Sequence, residues 1–99
     1  MSRAEWRKER SRLICQRVSE GVAAVAPREI GRWTPAWDLV EAPSAAFLEA
    51  LDFWVETGSA EDQRAVQRTA EEVCGAWREA VRQWEAAGRP GTSEVAHAS

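Results

Sequence analysis

The chain has 99 residues, a formal net charge of −3, 44% hydrophobic and 29% charged side chains. That length suits one domain and is too short for two. One histidine and two cysteines without C-x-x-C spacing, and no Gly-rich phosphate loop, G-x-S-x-G or H-E-x-x-H, leave no constellation for a metal, a cofactor or catalysis, so neither an enzyme nor a cofactor is expected.

The longest apolar run is the five residues 22–26, so no membrane span is expected. The first ten residues have no apolar stretch behind their charges, which argues against a signal peptide. The solitary Cys15 and Cys74 fit small buried thiols in a reducing compartment, and the expected location is the cytoplasm.

Taken in order, residues 3–25 read as a long first helix. Ser2 and Glu5 form the S-x-x-E capping box, Ile14, Val18, Val22 and Val25 define one face, and Pro27 closes the segment. Residues 27–43 are punctuated by Pro27, Gly31, Pro35 and Pro43. Within them Thr34-Pro35 predicts a short helix over about 35–41. Ser44 then caps a third helix over about 45–57, with Phe47, Leu48, Leu51, Trp54 and Val55 as its apolar stripe and Gly58 as its left-handed stop. Ser59 starts a fourth, with Asp62 in its first turn. Its Val66, Ala70, Val73, Trp77, Val81 and Trp84 fall within about 80° at 100° per residue, a seam narrow enough for lengthwise packing. Gly88 and Pro90 end that helix.

The expected fold is therefore all-α: a small bundle in which a long N-terminal helix lies on an antiparallel hairpin, with a short helix in the 27–43 connection. Residues 1–88 form the domain and 89–99 a disordered tail. On this reading the fourth helix is about twice as long as the third. The first helix, the Trp33–Trp37 segment or a second chain must cover the surplus seam.

Charge is segregated. Residues 1–32 carry eight basic and four acidic side chains, residues 33–63 carry seven acids and no Lys or Arg, and residues 64–99 balance at five and five. Arg3, Arg7, Arg10 and Arg17 share one stripe of the first helix, and Glu49, Asp52 and Glu56 one stripe of the third. The two stripes are expected to face each other or to be solvated. The alternative is that the basic stripe contacts phosphates.

Six tryptophans accompany two phenylalanines and no tyrosine. Trp54, Trp77 and Trp84 sit on core stripes, whereas Trp6, Trp33 and Trp37 lie off the seams or in the connection, and Phe53 lies outside its helix's stripe. Tryptophan is enriched at binding hot spots, so Trp6, Trp33, Trp37 and Phe53 are the candidate partner-binding residues, while for Trp33 and Trp37 the first expectation is that they cap the core and the alternative is an exposed aromatic patch. The Trp54–Gly58 turn has three intervening residues, and no tyrosine follows it. Both features separate the chain from the small secreted hairpin proteins with a Trp-x-Gly turn.

These features predict a non-catalytic interaction module that binds another protein or pairs with itself as a homodimer. A nucleic-acid-associated protein using the basic helix is the competing expectation, and a small-ligand sensor with a Trp-lined pocket is a third.

Overall fold

The computed structural model describes residues 2–90. Three long helices account for nearly all of them, joined by one 3-10 turn: α1 (Arg3–Val25), the turn Arg28–Arg32, α2 (Thr34–Thr57) and α3 (Ala60–Ala86).

Local chemistry sets most of the boundaries. At the start of α1 the Glu5 N–H donates to the Ser2 hydroxyl at 3.1 Å, and the Ser2 N–H donates to the Glu5 carboxylate at 3.3 Å, completing the capping box. The chain leaves α1 through Ala26 in extended conformation, just before Pro27. Gly58 ends α2 at φ 64, donating its N–H to the Trp54 carbonyl at 2.8 Å. Ser59 caps α3 by accepting the Asp62 N–H at 3.1 Å. At the far end, Gly88 at φ 87 donates to Glu85 and Arg89 to Trp84, the paired bonds of a Schellman stop. The Trp84 indole N–H donates to the Pro90 carbonyl at 2.9 Å. The expected tail lies outside the described residues from position 91 onward.

One expected break is absent. The short helix over 35–41 and the helix over 45–57 are a single helix, α2, with Pro43 inside it and Ser44 in mid-helix rather than at a cap. Its start also shifts, because Trp33 rather than Thr34 occupies the N-cap position, with no side-chain hydrogen bond. Pro43 has no N–H for the Leu39 carbonyl, a loss worth about 3 kcal/mol in a free helix. Packing outweighs it. Ala36, Val40, Phe47, Leu51 and Trp54 are all buried and fall within about 60° at 100° per residue. The apolar register thus passes through Pro43 unbroken, and both halves of α2 lie on the same partner, α3.

Helix lengths change accordingly. With 24 and 27 residues, α2 and α3 span about 36 and 40 Å and match along their length. The expected surplus of seam on the last helix does not exist: of its residues, Val66, Val73, Trp77 and Trp84 are buried within the chain and Ala70 and Val81 are half-buried against the same core. Ile30, from the 3-10 turn, is 2% exposed and joins the same core. Thr69 is buried in the seam with its hydroxyl donating to the Ala65 carbonyl at 2.7 Å and the Val66 carbonyl at 3.1 Å, so its polarity is satisfied locally.

The first helix is held differently. No residue of α1 is buried. Ile14, Cys15, Val18 and Val22 pack half-buried against the hairpin core. Arg7 reaches the C-terminal end of α2, Trp6 shares a depression with Gln63, and Gly21 lies against the Cys74 sulfur farther along. Hence α1 runs antiparallel to α2 and parallel to α3, making an up-down-up bundle in which two helices form the core and the third is laid on it. Cys15 and Cys74 are half-buried rather than buried as expected, because both lie at this shallow seam. Partial desolvation raises the pKa of the Cys15 thiol.

Candidate functional site

Shallow docking of α1 leaves a groove along its boundary with α3. At its centre is a depression of about 320 Å³ with Ile14, Trp54, Val66 and Ala70 among its lining residues. Trp6, Arg10, Leu13 and Arg17 line it from α1, and Gln63 and Gln67 from α3. A second depression, of about 420 Å³, shares Trp6, Trp54 and Gln63 and extends toward Arg3 and Gly58. A third, of about 310 Å³, shares Arg17 and Ala70 and continues to Cys74 and Arg78. From Arg3 to Arg17 the groove is about 21 Å long at 1.5 Å per residue, which is room for three to four turns of a helix.

The lip has a regular pattern. Trp6, Arg10, Leu13 and Arg17 recur at steps of four, three and four, so one stripe of α1 alternates aromatic, cation, aliphatic, cation. Trp6 is 53% and Leu13 43% exposed. Arg3, Arg10 and Arg17 enter no ion pair among the described residues; the ion pairs there are the short-range Arg12–Glu9, Arg82–Glu79 and Arg89–Glu85.

Arg7 leaves the basic stripe for a structural post. Its Nε donates to the Val55 carbonyl at 2.7 Å and its Nη2 to the Glu56 carbonyl at 3.4 Å. It therefore places a cation on the C-terminal end of α2, where the helix dipole is negative and carbonyls lack intrahelical donors. Of the two expectations for the charged stripes, facing each other or being solvated, no pairing between them is present among the described residues. Arg7 meets main-chain oxygens, and none of Glu49, Asp52 and Glu56 pairs with an arginine among the described residues. All three acids are exposed on α2.

The expected aromatic sites separate in space. Trp6 is in the groove. Trp33 is half-buried and packs on the core. Trp37 belongs to α2 rather than to a loop; it is 50% exposed, but its indole N–H donates to the Gly31 carbonyl at 2.9 Å. Its ring meets that of Trp77 edge-on, at 5.3 Å between centroids and 84° between planes. Trp37 thus closes one end of the core and fastens the 3-10 turn to α2. Phe53, 51% exposed, stands apart on α2 between Glu49 and Glu56. Leu48, expected on the core stripe, is 55% exposed, because the stripe of α2 continues from Ala36 and Val40 and leaves position 48 on its flank.

Leu13, Gln63 and Gln67 are groove residues that sequence reasoning missed. For Leu13 a signal was present, since it stands seven residues after Trp6 on the same helical stripe. Gln63 and Gln67 carried none, because their place depends on where α1 lies across α3. Among the described residues no three His, Cys, Asp or Glu side chains gather as metal ligands, and no helix is long and apolar enough to cross a membrane. The chain matches no protein-family model, no curated protein and no solved structure.

Proposed function

We propose that this protein is a non-catalytic interaction module whose α1–α3 groove binds an acidic amphipathic helix. The observation that carries the reading is the lip of the groove, where two large exposed apolar side chains, Trp6 and Leu13, alternate with arginines that have no acidic partner among the described residues. An apolar floor with a cationic lip fits a helix that offers apolar anchors flanked by carboxylates, the helix-in-groove mode of recognition. Desolvating Trp6 and Leu13 supplies affinity, and the arginines supply orientation and on-rate. The Gln63 and Gln67 amides give the opposite wall donors and acceptors for polar groups at the edge of such a helix.

A polyanion would use the arginines and leave Trp6 and Leu13 unused, and a net charge of −3 disfavours its approach. Nucleic-acid binding therefore becomes the opposing arm of the test. Fluorescence anisotropy would compare a labelled acidic amphipathic helical peptide, the same peptide with its acids changed to lysine, and a short DNA duplex. The acidic peptide should bind, Leu13→Glu and Arg10→Glu/Arg17→Glu should each weaken it about tenfold or more, and the other two probes should not bind at physiological salt. Tighter binding of the duplex than of the peptide would replace this reading with phosphate recognition.

A further inference from the structure

Two surfaces of this chain are complementary and unsatisfied. On α1, Arg10, Leu13 and Arg17 place an exposed apolar side chain between two arginines seven residues apart. On α2, Glu49, Phe53 and Glu56 place an exposed apolar side chain between two carboxylates, also seven residues apart. No ion pair among the described residues uses any of these four charges. Within one chain the two triplets form no ion pair with each other among the described residues, and the hydrogen bonds from α1 to α2 there run from Arg7 to main-chain carbonyls.

We propose that the helix occupying the groove is the acidic face of α2 from a second copy of this chain. The inference rests on the reading of the groove as a helix-binding site. The steps fix the alignment: arginine to leucine to arginine is three then four, and glutamate to phenylalanine to glutamate is four then three. Antiparallel helices therefore bring Leu13 onto Phe53, Arg10 onto Glu56 and Arg17 onto Glu49, whereas a parallel pairing mismatches both charges by a residue. Charge segregation points the same way, since residues 33–63 carry seven acids and no Lys or Arg. Such a face repels its own kind and attracts the α1 lip. The groove and the acidic face are different surfaces, so the contact either is made twice in a reciprocal two-fold dimer or repeats head to tail as a ring or open chain.

Sedimentation equilibrium of the full chain from about 1 to about 200 μM reads the association. The variants are Arg10→Glu/Arg17→Glu and Glu49→Arg/Glu56→Arg, all at exposed positions and checked for helicity by circular dichroism. The wild type should self-associate, each variant alone should sediment as a monomer, and an equimolar mixture of the two should associate, because the reversed charges match across both halves of the contact. If either variant loses helicity, Phe53→Ser, at an exposed position outside the core, carries the same test and should be monomeric. A wild type that stays monomeric at the highest concentration overturns the inference. If the acidic peptide still binds, the groove reading stands without it; if the peptide also fails, both fall. Variants that associate as the wild type does, or a mixture that does not associate, overturn the inference as well.

Discussion

The guanidinium of Arg7 fills the space that a side chain at position 58 would need: a Cβ built on Gly58 would lie 2.7 Å from Nη1 and 3.0 Å from Cζ. Gly58 is thus favoured by its φ of 64, and any side chain there would also make the arginine seated on the end of α2 shift. Gly58→Ala should cost about 1–2 kcal/mol for the left-handed backbone, plus the displacement of Arg7. Arg7→Ala alone should cost about 1 kcal/mol, less than a buried charged hydrogen bond because the guanidinium is partly solvated. In an Arg7→Ala background, Gly58→Ala should cost only its backbone share. Urea denaturation of the four proteins reads the coupling, and strict additivity would mean that the two residues do not interact.

Pro43 interrupts the hydrogen-bond ladder of a helix whose packing continues across it. Pro43→Ala restores a donor to the Leu39 carbonyl and should raise stability, by up to about 3 kcal/mol. Ser44→Ala should be neutral or slightly stabilising, because Ser44 caps nothing. A loss of about 1 kcal/mol on Ser44→Ala, as for a true N-cap, would instead place a helix start there. Thermal melts of both variants decide between these structures.

Trp77 and Trp37 form one edge-on pair with unequal burial, 9% and 50% exposed. Trp77→Ala should cost about 3–5 kcal/mol as a buried tryptophan. Trp37→Ala should cost less, about 1–2 kcal/mol for the lost ring contact and the bond to Gly31. A double-mutant cycle should show about 0.5–1.5 kcal/mol of coupling. Equal losses at both positions would put Trp37 wholly in the core.

The turn between α2 and α3 responds to acid. Hydrogen bonds from the Thr57 and Ser59 hydroxyls hold the Asp62 carboxyl below its ordinary value of 3.8. A lowered folded-state pKa adds stability above the unfolded-state pKa, and that stability is lost as pH falls through the folded value. Between about pH 5 and pH 2 the wild type should therefore lose more stability than Asp62→Asn, whose side chain does not titrate. Parallel pH profiles for the two proteins would leave the turn without this contribution.

Much of the fold was legible because its signals are local. Ser2 with Glu5, Gly58, Ser59 with Asp62, and Gly88 each mark a helix end through chemistry contained within a few residues, and the Val66–Trp84 seam is periodic enough to read directly. Pro43 was misleading for the converse reason. A proline is a local veto, and what overrides it is burial of Val40 and Phe47 on one face of a helix that comes later in the chain. The site was half legible. Trp6 and the arginines of the α1 stripe stood out by composition and spacing, but the seat of Arg7 depends on a carbonyl at a helix end, which a count of charges does not contain. Leu48 and Leu13 were hidden by neighbours: Phe47 and Ile14 take the inward positions and turn the adjacent leucines outward.

If the α1–α3 groove is where this chain meets its partner, the indole N–H signals of its tryptophans report the encounter residue by residue. In a titration with the acidic amphipathic peptide, followed by two-dimensional ¹H–¹⁵N spectra, the Trp6 indole and the Gln63 and Gln67 side-chain amides should shift together and saturably. The indoles of Trp37 and Trp84, bonded to Gly31 and Pro90, should stay in place. Shifts centred on Trp37, with Trp6, Gln63 and Gln67 unmoved, would rule out the groove and move the binding surface to the other end of the bundle.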